Sequence, residues 1–205
     1  MKKFLSFLLV TFFITFPMSS TISMENKIDS YNNITEEKIT INEKDSIKNL
    51  LVTEVNSYIK GIAPSSKLDG EILVDMCYAY NIDIVFVLAQ GQIESHYGTR
   101  GTAYKTNSVF NVGAYDGYSA SRQCKNGFGF SHPNESVEPF LILLTNNYLT
   151  NGKTINDLMI SYVNHLGMRY ASNTRYEYML KSVYSKINKN TNIGVLFNDY
   201  ISLIK

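Results

Sequence analysis

From Ile82 to Ala89 the chain reads IDIVFVLA, a run that is apolar in nearly every direction. It shows neither a one-sided helical stripe nor strict alternation, so it reads as a helix or strand buried all round. The run then stops on a lone carboxylate. After Gln90, Gly91, Gln92 and Ile93 comes Glu94, followed at once by Ser95, His96, Tyr97 and Gly98. A charge placed where burial ends is either a surface group or one held there for chemistry. At the C-terminal end of a helix, the negative pole of the dipole and the apolar run behind it both favour the neutral acid. A carboxyl with a raised pKa beside a cleft is what protonation of a glycosidic oxygen requires.

The sequence around this run is helical in pattern. IKNLLVTEVNSYI places Ile47, Leu50, Leu51, Val55 and Tyr58 on one stripe, which Gly61 and Pro64 close. SSKLDGEILVDMCYAYN restarts with Ser65 or Ser66 as the cap and an acid three residues on. IDIVFVLAQGQIES is a third helix. Gly98 to Gly129 is rich in glycine, with Asp-Gly and Asn-Gly turn signals that predict loops and short strands. Helical pattern returns at SVEPFLILLTNNYL, where Pro139 is tolerated near the first turn. It continues in TINDLMISYVNHLG, which starts on a Thr154–Asp157 capping box and stops at Gly167, and in TRYEYMLKSVYSKI and VLFNDYISLI. The expected fold class is mainly α, a helical body interrupted once by a Gly-rich loop and short-β lobe.

Residues 1–23 carry Lys2 and Lys3, an apolar stretch from Phe4 to Phe16, and small residues at Thr21 and Ser23. This pattern predicts a secretory signal peptide and export to the periplasm or cell exterior; the alternative is an uncleaved N-terminal anchor. The stretch is short of the ~20 residues that a membrane span needs, so no stable membrane insertion is expected after cleavage. Residues 24–44 read as a polar linker and 45–205 as the folded domain. Cleavage after Ser23 leaves 17 basic against 18 acidic residues, a net charge of −1. That is no basic field for nucleic acid. Cys77 and Cys124 lack metal-ligand spacing; in an exported chain they form one disulfide or remain separate thiols.

Four segments, in order, resemble the bacterial cell-wall glucosaminidases of the autolysin and flagellar-muramidase type, glycoside hydrolase family 73. AQGQIESHYG (Ala89 to Gly98) is similar to that family's Ala-Gln-x-x-x-Glu-Ser-x-aromatic-Gly signature. TNSVFNVGA (Thr106 to Ala114) resembles its Asn-Asn-Leu-Phe-Gly-Ile segment, with Asn111 where the family has Gly. HPNESVEPFLILL stands where the family starts a helix with Ser-Pro-x-Glu-Ser. YASNTRY (Tyr170 to Tyr176) is similar to its Tyr-Ala-Thr-Asp-Pro-x-Tyr, with Asn173 for Asp and Thr174 for Pro. The match covers roughly Ile82 to Ile187.

The resemblance implies a lysozyme-like fold and cleavage of the β-1,4 glycosidic bond of peptidoglycan after N-acetylglucosamine. Glu94 would be the general acid, and Tyr170 would support the oxocarbenium-like transition state or position the water. Tyr97, Asn107, Phe110, Asn173 and Tyr176 would shape the groove for the glycan strand. Asp116, in YDGYS, is the candidate second acid, although Asp-Gly is equally a turn. The alternatives are a lytic transglycosylase or an N-acetylmuramidase on the same fold, or a wall-binding protein without activity. No cofactor or metal is implied, since His96, His132 and His165 are scattered. Glu135 and Glu138 read as first-turn helix acids. A monomer with glycan strands as its partner is expected.

Overall fold

A computed structural model of the chain describes residues 42–112 and 129–203. The first helix, α1, covers 42–62, so residues 42–44 belong to it and not to the preceding polar segment. Leu51, Val55 and Ile59 are its buried face, with Ile47 and Tyr58 half-buried beside them. Leu50, expected on that stripe, is 57% exposed, because one residue of helix rotates it about 100° away from Leu51.

The second helix, α2, is Gly70–Ala79, and its cap is Asp69 rather than Ser65 or Ser66. The Asp69 side chain accepts from the Glu71 N–H at 2.9 Å. Ser66 is buried and holds another part of the chain, donating to the Tyr97 carbonyl at 2.8 Å. Cys77 is a free thiol sealed inside α2, and burial pushes its pKa up.

The apolar run forms α3, Ile84–Ser95, started by Asp83 as N-cap. Every residue from Ile84 to Gly91 is buried. Gly91 is needed for close packing: a Cβ there would meet the rings of Phe110 and Tyr97 at 3.2 Å. After the short α4, Ala103–Thr106, the described chain resumes at Gly129. A 3₁₀ turn, Pro133–Ser136, then leads into α5, Val137–Leu143, which ends in a π-helical turn at Leu144–Tyr148. Glu138 lies in the first turn of α5, where the helix dipole stabilises a carboxylate.

The Thr154–Asp157 capping box forms as expected, but its helix, α6, is only Ile155–Leu158. Beyond the C-cap Met159 come Ile160, Ser161, Tyr162 and Val163, which are β-branched or aromatic apart from Ser161 and hold a helix weakly. They instead enter a narrow hairpin with a single bridge, Val163 to Arg169. Asn164 builds its turn, the side chain accepting from the N–H groups of Leu166 and Met168 at 2.9 Å, and Gly167 supplies φ 79°. Helices α7, Tyr176–Asn190, and α8, Ile193–Ser202, complete the chain.

The architecture is mainly α-helical. α3 is its central member, packing most extensively on α7 and also on α2 and α8. No strand occurs among the described residues, so the expected short-β lobe is not seen there: 98–112 consists of turns and α4. The Asp-Gly and Asn-Gly turns, Asp116 and Cys124 lie outside the described residues. No described helix is long and apolar enough to cross a membrane.

Candidate active site

Glu94 stands on the last turn of α3, half-buried. The residues after it terminate the helix. The Tyr97 N–H reaches back to the Gly91 carbonyl at 3.0 Å and the His96 N–H to that of Gln92 at 3.1 Å, a Schellman arrangement. His96, Tyr97 and Gly98 all have positive φ, 48°, 55° and 82°. For a bulky tyrosine this conformation costs roughly 1–2 kcal/mol. Tyr97 is held in it by a buried ring, a hydroxyl donating to Leu88 O at 3.0 Å, and the Ser66 contact at its carbonyl. Ser95 ties the same corner to the next segment, its hydroxyl donating to Val109 O at 2.6 Å. The stretch Ser-His-Tyr-Gly therefore stops a buried helix sharply and leaves Glu94 at its rim.

Among the described residues, two donors hold the Glu94 carboxylate. The Tyr176 hydroxyl, on α7, donates to Oε1, and the Asn111 amide donates to Oε2 at 2.9 Å. The same Asn111 nitrogen reaches the Glu94 backbone carbonyl at 3.1 Å. Behind Tyr176 stands Gln90, fully buried one turn earlier on α3, whose Nε2 donates to the Tyr176 oxygen at 2.9 Å. Because that oxygen receives the Gln90 proton, the phenol's own proton is directed to Glu94. Burial pushes the Glu94 pKa up, and the hydrogen bonds from Tyr176 and Asn111 oppose it without cancelling it. The phenols of Tyr170 and Tyr176 are pushed well above their ordinary value, first by burial and then by the charge of Glu94, so both stay protonated.

Of the two tyrosines of YASNTRY, Tyr176, expected to line the groove, donates to the acid, and Tyr170, expected near the acid, feels the Glu94 charge while its hydroxyl donates to Phe110 O at 3.0 Å. Tyr170 stacks on Tyr162 with centroids 4.5 Å apart and planes 16° apart, within a cluster that includes Tyr148 and Tyr176. Gln90 Oε1 and the Tyr162 hydroxyl are buried in this cluster, with no partner at full hydrogen-bond geometry among the described residues.

Two other expected groove residues are core. Tyr97 and Phe110 are each 1% exposed, and Phe110 lies 4.1 Å from Phe140 in a parallel stack. Both rings are sequestered because Gly91 leaves the space they fill. Asn107 caps α4 at φ 54° and its amide donates to Phe130 O at 2.9 Å, joining the two sides of the 113–128 segment. Asn173 is exposed and accepts from the Arg175 N–H at 2.9 Å ahead of α7. The structure thus brings Glu94, Tyr176, Tyr170 and Phe110 together, with Phe110 underneath. Asn111 and Gln90 are members the sequence reading did not assign. The signal for Asn111 was present: it stands where glycine is expected, and its φ is 53°.

Cavities are found elsewhere among the described residues. One of about 350 Å³ lies at the N-terminal end of α3 against α8, and one of about 510 Å³ lies between α1 and α8. Their carboxylates are engaged on backbone and phenol donors. Asp83 accepts from Val85 N–H at 2.8 Å and the Tyr184 hydroxyl at 2.6 Å, and Glu54 accepts from Asn192 N–H at 2.6 Å. Glu94, by contrast, accepts only side-chain donors among the described residues, at a helix end that supplies no free N–H, which favours it as the chemical group. No cluster of His, Cys, Asp and Glu suited to a metal ion occurs among the described residues. No protein-family model matches the chain, and no curated protein matches it.

Proposed function

We propose that the protein is an exported peptidoglycan hydrolase with a lysozyme-like scaffold, cleaving the β-1,4 bond after N-acetylglucosamine with Glu94 as general acid. The observation that carries this reading is the environment of Glu94: a half-buried carboxyl with a raised pKa at the end of a buried helix, held by directed donors. The four motif resemblances add the substrate class. In the reaction, the protonated Glu94 gives its proton to the glycosidic oxygen as the bond from that oxygen to the anomeric carbon breaks. Positive charge develops on the sugar ring, and the new Glu94 carboxylate is received by the Tyr176 hydroxyl. Water adds to the anomeric carbon and its proton leaves to a base, for which Asp116 is the sequence candidate. Tyr176 holds the acid directly, and Tyr170, which the motif resemblance puts near the acid, lies next to Tyr176 in the tyrosine cluster.

Purified mature protein incubated with peptidoglycan, followed by mass spectrometry of the released ends, tests the reading. N-acetylglucosamine reducing ends are expected. N-acetylmuramic acid reducing ends would make it a muramidase, and anhydro ends a lytic transglycosylase. Binding without release of fragments would make it a wall-binding protein.

A further inference from the structure

Asn111 occupies an unusual position relative to Glu94. One amide group bonds both ends of a single glutamate, its backbone carbonyl at 3.1 Å and its carboxylate Oε2 at 2.9 Å. The NH₂ group has one proton for each acceptor, whereas the amide oxygen could donate to neither, which sets the amide's orientation as donor to both. The backbone is set for this: Asn111 lies at φ 53°, in the left-handed region that asparagine tolerates better than other residues with side chains. Its neighbours hold it in place from three elements. Ser95 anchors Val109, Phe110 is stacked on Phe140, and Tyr170 donates to Phe110 O. The side chain is thus mounted on a rigid corner and aimed at the carboxyl.

We propose that Asn111 is a positioning residue that acts through Glu94: it pins the carboxyl against the end of α3 and favours its ionised form. The consequence is a general acid with a lower working pH range than burial alone would set. Among the described residues, the other groups that face Glu94 are the phenols of Tyr176 on α7 and of Tyr162 and Tyr170 on the hairpin, with uncharged Gln90 from its own helix. The phenols remain neutral through the range in which a carboxyl titrates. The amide of Asn111 and the hydroxyl of Tyr176 are therefore the donors that oppose burial. A glycine at 111 would keep the backbone and omit this control, so the residue that departs from the family pattern is the one that tunes the acid.

The kinetic part of this inference rests on Glu94 being the general acid, and the test separates the two. The Glu94 carboxyl carbon is followed by NMR in ¹³C-glutamate-labelled protein, assigned by its loss in Glu94→Gln, and titrated in wild type, Asn111→Gly and Asn111→Asp. Both substitutions suit a positive φ. The Glu94 midpoint is expected to move up in Asn111→Gly, which loses the donor, and further up in Asn111→Asp, which sets a second carboxylate against Oε2. With peptidoglycan as substrate, the alkaline limb of the pH–rate profile moves up in the same order, since a general acid works below its pKa. An unmoved Glu94 midpoint in the variants overturns the proposal, and if Asn111→Gly fails to fold, Asn111→Asp alone decides it. A midpoint that moves in protein without hydrolysis leaves the role of Asn111 standing and removes the glycosidase reading instead.

Discussion

The two ends of α3 carry the same pair of groups and use them differently. At the N-terminal end Asp83 accepts from Tyr184, and at the C-terminal end Glu94 accepts from Tyr176. Both tyrosines come from α7, eight residues apart, about two turns along it and about 80° around it, so both can face α3. The difference lies in helix polarity. Asp83 also caps the N–H groups of Val85 and Phe86, at the pole where the dipole favours negative charge. Its charge is spread over structural donors, and the Tyr184 phenol is pushed up to about 12 by burial and by this carboxylate. Glu94 faces the opposite pole, finds no backbone N–H among the described residues, and burial raises its pKa. A carboxylate–phenol pair is thus a structural clamp at one end of the helix, and at the other it holds a carboxyl with a raised pKa, the proposed general acid.

The largest expected contrast between the ends comes from Glu94→Gln. Hydrolysis of peptidoglycan should fall by roughly 10²–10⁴-fold, while circular dichroism and binding to insoluble peptidoglycan are retained; a variant with wild-type turnover removes Glu94 as the acid. Stability adds a sign that can be checked. Because the folded-state pKa is raised above the ordinary 4.5, ionising Glu94 costs the folded protein stability, and that cost develops as pH rises through the folded pKa. The stability of Glu94→Gln relative to wild type should therefore improve as pH rises above the ordinary carboxylate range.

Next in size is Tyr176→Phe. It removes a donor to a charged group, worth about 1.5–3 kcal/mol, and should lower turnover by about ten- to a hundredfold. It should also move the alkaline limb of the pH–rate profile upward, because the ionised acid loses support. A profile that stays in place would reduce Tyr176 to packing.

The opposite end should respond in stability alone. Asp83→Ala removes an N-cap worth about 0.5–2 kcal/mol and takes away the carboxylate that accepts from Tyr184, so the denaturant midpoint falls. Hydrolysis per folded molecule should not change. A loss of turnover at matched folded fraction would break the separation between the two ends.

Tyr170→Phe is expected to have the smallest effect. Its hydroxyl supports the Phe110 carbonyl, a neutral hydrogen bond worth about 1 kcal/mol, and a modest fall in melting temperature should follow. A large fall in turnover with unchanged melting would instead return Tyr170 to the transition state, the role its motif suggests.

Much of this comparison was legible before folding. The all-round apolar character of Ile82–Ala89 required a buried central element, and Glu94 was marked by standing where that burial ends. The Thr154–Asp157 capping box was legible as well, because its two residues are three apart and the contact is local. What stayed hidden depends on residues far apart in sequence. The length of α6 could not be read from its cap, because the chain after Leu158 leaves the helix to bury Tyr162 against Tyr148 and Tyr170. Tyr97 and Phe110 look suited to a groove until the missing Cβ of Gly91 is seen to admit both rings to the core.

By itself, then, the sequence determined the helical class, the buried helix and the acid at its rim. These are properties of local periodicity and of one charge against one helix end. Which phenol reaches that acid was decided only by tertiary structure. Tyr170 and Tyr176 are six residues apart and chemically identical. The hairpin turn at Asn164 and the register of α7 against α3 send one hydroxyl to Phe110 and the other to Glu94. The asparagine that completes the site was likewise placed by the sharp stop after α3, where three residues of positive φ fold the chain back and bring a position 17 residues away against the carboxylate.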